Sequence, residues 1–169
     1  MSLLVLFARK MSLKNQISDI NYKMMQKQQE MNDLQAYTAA ISDGSVSMND
    51  LTTAPASMFG RMSQYMVGSH NYAMQAAGQN MAYLQGSQQV GGQDANAQMQ
   101  YQQLVFKNLY DQQKAQFQKA EEARLQVKNK QMDNEILKLQ TQIKQLEAEY
   151  NSIDNVLDNA IKDATPKYA

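Results

Sequence analysis

From Met132 to Ala160, apolar residues recur at alternating steps of four and three: Met132, Ile136, Leu139, Ile143, Leu146, Tyr150, Ile153, Leu157 and Ala160. The positions between them are mostly Lys, Gln, Glu, Asp and Asn. This is the stripe of a helix that packs on another helix, because only a period near 3.5 keeps one face turned to a partner over such a length. The first third of the chain has the same pattern, in Leu13, Ile17, Ile20, Met24, Lys27, Met31, Leu34, Thr38 and Ile41. Lys27 and Thr38 are its polar exceptions. A Lys at a seam position can fix register at a cost in stability. Ahead of this stripe, Leu3, Leu4, Val5, Leu6 and Phe7 are apolar on every side, which predicts deep burial, in an assembly rather than in a monomer. Gly44, in Ser42-Asp43-Gly44-Ser45, is placed to cap the first helix at about 40 residues, roughly 60 Å.

Residues 45–93 read differently. Only Asp50 and Arg61 carry charge there, and Gly, Ser, Ala, Asn, Gln, Met and Tyr dominate. A helix is predicted to start around Thr53-Ala54-Pro55, with Pro55 in its first turn and Met58, Met62 and Met66 at steps of four. Gly68 is expected to break it. A second short helix then runs from Asn71 to Leu84, with Met74, Ala77, Met81 and Leu84 on one side, and is closed by Gly86 and Gly91-Gly92. These methionines read as adaptable packing rather than as metal ligands.

Asp94 is a candidate N-cap for the last helix, which Pro166 must end. The early stripe of this helix, Phe106, Tyr110, Phe117, Ala120 and Val127, is out of phase with the later one. The later stripe begins at Leu125, with Asn129 at a core position before Met132, so the change of phase falls between about 120 and 132. Such a break unwinds a coiled coil locally or hands the helix to a new partner. The handover is the expectation here, since the first helix is too short to cover the last.

These elements predict an all-α fold. The N- and C-terminal helices form a long antiparallel coiled-coil hairpin, with short helices between. Residues 1–42 and 100–164 make a coiled-coil core, and 43–99 a Met/Gly/Gln-rich middle that faces outward. The intramolecular seam comprises Leu13, Ile17, Ile20, Met24, Met31, Leu34 and Ile41 against Met132, Ile136, Leu139, Ile143, Leu146, Tyr150, Ile153 and Leu157. A two-helix hairpin buries little core for its length. Leu3–Phe7 together with Leu137, Val156, Ile161 and Tyr168 are left off the seam or at its end. These are the expected assembly contacts, and head-to-tail pairing through them gives an open filament.

Composition narrows the function. Sixteen basic and 16 acidic residues balance, which argues against nucleic acid as a partner, since that requires a basic surface. There is no Cys and one His, His70. No acidic residue lies close to it in sequence, so no metal site is expected, and no cofactor. No nucleophile elbow or phosphate loop is present, because Gly91-Gly92 lacks a following Lys-Ser/Thr. His70 therefore reads as a linker residue. Glu121, Glu122, Glu147 and Glu149 read as a solvated helix face beside Arg124 and Lys144, with Asp158 and Lys162 as an i,i+4 pair. The chain is expected not to be an enzyme. The apolar start Leu3–Phe7 stops at Arg9-Lys10, which is not the form of a cleavable secretion signal, and no stretch approaches the ~20 apolar residues of a membrane span.

Terminal heptad helices, Leu3 to Ile41 and Leu125 to Lys162, flank a low-charge middle with no Cys and no cleavable signal. In this layout the chain resembles the type III-exported filament proteins, namely flagellin, the hook-associated proteins and the EspA-type translocation filament subunits. The likeness covers about half of the chain and is one of layout. Thr165-Pro166-Lys167-Tyr168-Ala169 departs from the apolar C-terminus of flagellin. The resemblance implies a structural subunit that self-assembles through its terminal helices into an extracellular or cell-surface tube, with export machinery or a chaperone as further partners. The alternatives are a cytoplasmic coiled-coil adaptor whose stripes are completed by another protein's helices, and a membrane-active translocator using Leu3–Phe7 and the Met-rich middle. Membrane insertion is the least expected, because the charges beside the first stripe are mixed rather than basic.

Overall fold

The computed structural model describes residues 3–43, 46–87 and 95–164. Gly44, Gly91-Gly92, Asp94, Pro166 and Tyr168, to which the sequence assigned caps, stops and one contact, lie outside the described residues. Four helices follow in order: α1 (Leu3–Ser42), α2 (Met48–Thr53), α3 (Ala56–Ser87) and α4 (Ala95–Ala164). The fold is all-α, and among the described residues there is no strand. At 1.5 Å per residue α1 is about 60 Å long and α4 about 105 Å. The helices group into two compact units, one of residues 3–32 with 130–164, the other of residues 33–129.

In the first unit α1 and α4 run antiparallel. Arg9 pairs with Glu149, Lys10 with Asp154, and Lys27 with Glu135. As the α1 number rises from 9 to 27, its partner on α4 falls from about 150 to 135. Between these polar edges the heptad stripes meet. Leu13, Met132, Ile136, Ile143 and Leu157 are buried. Ile17, Ile20, Met24, Met31, Leu139, Leu146, Tyr150 and Ile153 are half-buried. The seam begins earlier than the stripe suggested. Leu6, one heptad before Leu13, is only 8% exposed, and Lys10 is half-buried with its ammonium 5.4 Å from the centre of the Tyr150 ring. Lys27, the polar exception in the stripe, keeps its stem at the seam while its Nζ bonds Glu30 at 3.0 Å and approaches Glu135 at 3.3 Å. These acidic partners raise the pKa of Lys27, the Glu30 hydrogen bond most.

In the second unit the end of α1, α2, α3 and the first half of α4 enclose an aromatic core. Tyr37 is 1% exposed and meets Tyr65 edge-on at 6.5 Å, and Tyr65 in turn packs on Phe117 at 5.8 Å. Tyr72 reaches the same phenyl ring from further along α3. Asp33 accepts from the hydroxyl of Ser57, and Arg61 lies over the Tyr37 ring at 5.9 Å. Positions on α1 and α3 therefore rise together, so these helices are parallel here. Against α4 the numbers run oppositely, Tyr65 meeting Phe117 and His70 meeting Tyr110. Leu34, Ile41, Leu51, Met62, Ala73, Ala77 and Leu125 complete the buried set.

Three sequence expectations for this unit are corrected. α3 does not break at Gly68; it is one 32-residue helix that ends at Ser87, one residue past Gly86. Gly68 is half-buried against Phe117, where an added Cβ would sit 3.5 Å from Cζ. A glycine inside a helix costs only about 1 kcal/mol, less than α3 gains by packing Tyr65, Ala73 and Ala77 on one face. That face also differs from the one expected, since Met74 and Leu84 are 44% and 38% exposed. On α4, Ala120 and Val127 are exposed and leave the early stripe, whereas Leu125, the expected start of the later one, is fully buried. On α1 the side chain that turns inward beside Thr38 is Tyr37. Thr38 is half-buried, and its hydroxyl donates to the Leu34 carbonyl at 2.8 Å.

The α2 turn went unpredicted although its signal is local. Ser47 and Asp50 form a capping box, with the Asp50 N–H donating to Ser47 Oγ at 3.3 Å and the Ser47 N–H to Asp50 Oδ2 at 2.7 Å. The Ser47 N–H first, and then the Ser47 hydroxyl, which also donates to Asp50 Oδ2 at 2.7 Å, hold the Asp50 carboxyl below the usual carboxylate range. Pro55 then opens α3 from just outside it, its carbonyl accepting from Met58 N at 2.8 Å and Phe59 N at 3.1 Å.

Candidate assembly surfaces and a polar cleft

Closing the seam of the first unit uses one face of α1 and leaves another apolar face uncovered. Leu4, Phe7 and Met11 stand at steps of three and four, so they share a side of the helix. They are 79%, 50% and 63% exposed, with Val5 beside them at 54%. Met11 was not singled out in the sequence; its spacing from Leu4 and Phe7 is the signal that could have found it. Leu3 is partly covered at 37%. Leu6, named as an assembly contact, faces the other way and belongs to the hairpin, because the heptad register of Leu13 extends back to it. On α4, Leu137 and Val156 are 58% and 50% exposed, and Ile161 44%. Leu137 lies in a shallow depression with Asn134, Lys138, Thr141 and Gln142. Tyr168 lies outside the described residues.

The acidic residues read as a solvated face divide into three kinds. Glu149 is tied to the Arg9 guanidinium, whose Nε lies 2.9 Å away. Glu147 borders a surface groove with Lys14 and Ile17. Glu121 departs from the expectation: its side chain is only 15% exposed, and one oxygen lies 3.5 Å from the hydroxyl of Tyr37. Burial first, and the Glu121 charge second, push the Tyr37 phenol far above its ordinary pKa. Burial raises Tyr65 likewise, with Glu122 and Glu121 adding to it.

His70 is not in a linker. It sits within α3, with Nδ1 2.9 Å from the hydroxyl of Tyr110 and the two rings edge-on at 5.7 Å. The pair borders a cleft of about 200 Å³, floored by Tyr65, Met66 and Ser69 and flanked by Val46 and Lys114. Ser69 is 2% exposed and donates to the Met66 carbonyl at 3.1 Å. Among the described residues no three His, Asp or Glu side chains come together as a metal site would require, and no helix is long and apolar enough to cross a membrane. Comparison with known protein families, with characterised proteins and with solved structures finds no match to this chain.

Proposed function

We propose that the chain is a structural subunit that self-assembles through its terminal helices into an extracellular helical filament or tube. The observation that carries this reading is the second apolar stripe of α1. Leu4, Val5, Phe7 and Met11 remain exposed after the hairpin seam has taken Leu6 and Leu13. Fully burying side chains of this kind yields about 1.5–3 kcal/mol each, so covering these already half-open positions contributes roughly 4–6 kcal/mol per copy. Association costs about 4–15 kcal/mol, so this stripe alone supports at best weak pairing. A stable assembly needs a second contact on the same subunit, and Leu137 and Val156 on α4 supply one. Two different patches on each subunit give a heterologous contact, which propagates rather than closing as a dimer. The layout shared with type III-exported filament proteins supports export and a place at the cell surface.

Electron microscopy and light scattering of the purified full-length protein test the proposal. Filaments of uniform width are the expected result, and deleting Leu3–Phe7 is expected to abolish them while leaving helical circular dichroism largely intact. A monodisperse monomer at high concentration refutes self-assembly. Filaments unchanged by the deletion refute the role given to α1.

A further inference from the structure

The cleft at His70 has a polar lining of one kind. Lys114 is half-buried on α4 and, among the described residues, makes no ion pair. No carboxylate lines the cleft. The His70–Tyr110 pair offers a further donor in either protonation state. When the neutral ring carries its hydrogen on Nε2, the phenol O–H donates to Nδ1 and Nε2–H is the free donor; with the hydrogen on Nδ1, Nδ1 donates to the phenol oxygen and the phenol O–H is free. When the ring is protonated, Nδ1 donates to the phenol and the phenol O–H is released. The Ser69 hydroxyl is already donated to the Met66 carbonyl, so Lys114 and the His70–Tyr110 pair are left as donors along the cleft, beside Tyr65 and Met66. A half-buried lysine with no ion pair among the described residues, lining the same cleft as a paired imidazole and phenol, makes a set of donors without a charged acceptor.

We infer that this cleft binds a small oxyanion, a carboxylate or a phosphoryl group, held by Lys114 and by the His70–Tyr110 pair. Its volume of about 200 Å³ is below the ~300 Å³ at which pockets begin to enclose drug-sized ligands, so the ligand is the anionic group with a short body. The site lies wholly within the second unit and does not depend on filament formation.

His70 is the only histidine in the chain, so its ring signals report on the site without assignment. Full-length protein carrying ¹³C-labelled histidine is titrated with inorganic phosphate and separately with sodium acetate, at ionic strength held constant with chloride. The spectra are recorded in solution below the assembly concentration, or by magic-angle spinning on assembled material. The expected result is a saturable shift of the His70 Cε1–H signal. Saturation first by phosphate assigns a phosphoryl ligand, and first by acetate a carboxylate; either supports the site. Lys114→Gln is expected to weaken binding at least tenfold. Tyr110→Phe, which keeps the ring packing, is expected to weaken it several-fold. Lys107→Gln, at an exposed position seven residues away on α4, is expected to leave it unchanged. A shift that stays linear with both anions, or the same saturation in Lys114→Gln, overturns the assignment.

Discussion

Replacing the described glycines of α3 by alanine distinguishes one continuous helix from two short ones. In a continuous helix each Gly→Ala change removes the entropic penalty of glycine, about 0.8–1 kcal/mol, provided the new methyl group fits. At Gly60 and Gly78 no atom lies within 4 Å of the added Cβ, so the full gain is expected. At Gly68 the Cβ would rest 3.5 Å from Phe117 Cζ, an ordinary van der Waals contact, so the gain is kept and a small packing term is added. The three sites are 8 and 10 residues apart along α3, roughly 12 and 15 Å, far enough for their effects to add. The triple variant is therefore expected to be more stable by about 2–3 kcal/mol. Urea unfolding, followed by circular dichroism at concentrations where the midpoint does not depend on concentration, reads this directly. With an m-value of about 2 kcal/mol/M the midpoint rises by roughly 1 M. The discriminating variant is Gly68→Ala alone. A chain break at Gly68 requires backbone angles that alanine tolerates poorly, and the variant would then lose stability. A lower urea midpoint for Gly68→Ala refutes the continuous helix.

Two further outcomes test the buried polar groups. Tyr37 holds its proton in the folded chain to higher pH than in the unfolded chain, so the folded state binds more protons once the unfolded phenol begins to ionise near pH ~10. The Tyr37 contribution to stability should be constant below that pH and fall above it by up to about 1.4 kcal/mol per pH unit; Tyr37→Phe should flatten the fall in denaturant midpoints measured from pH 9 to 11.5, and an unchanged slope would contradict the burial argument. Asn129 Oδ1 is buried without a hydrogen-bond partner, a situation that costs about 1–3 kcal/mol. Asn129→Leu should raise the unfolding midpoint accordingly, and a lower midpoint would show that the amide is supported in the folded chain.

Period alone was enough to read α1 and the C-terminal half of α4. The stripes from Leu13 to Ile41 and from Met132 to Ala160 repeat over several turns, and a stripe that long has no other way to be buried than against a second helix. Lys27 and Lys10 do not disturb the pattern, since a lysine stem packs as an apolar chain while its head reaches Glu135 or Asp154 at the edge. The reading weakened where the chain carries few charges. In α3 almost every side chain is neutral, so polarity marks neither face, and the buried side, from Met62 through Tyr65 and Ser69 to Ala77, mixes aromatic, hydroxyl and methyl groups. The start of α4 was blurred for a different reason. Half-buried positions surround Phe106, Tyr110 and Phe117 there, and no single stripe emerges.

One residue accounts for how the cleft was overlooked. Taking Gly68 as a helix end placed His70 in a connecting segment, where a lone histidine has nothing near it in sequence to act with. The helix continues because stopping it would cost more than the glycine does. Ending α3 at Gly68 would strand unsatisfied backbone groups at two new termini and free the face that packs Tyr65, Ala73 and Ala77. Once α3 is continuous, its antiparallel course against α4 brings position 70 level with positions 110 and 114, forty or more residues away in the chain. The tyrosine and lysine that give His70 its chemistry are thus supplied by tertiary pairing, and their relation to it is fixed by the glycine's being tolerated. A local cost of about 1 kcal/mol decides whether the imidazole is an isolated linker group or one wall of an anion-sized cleft.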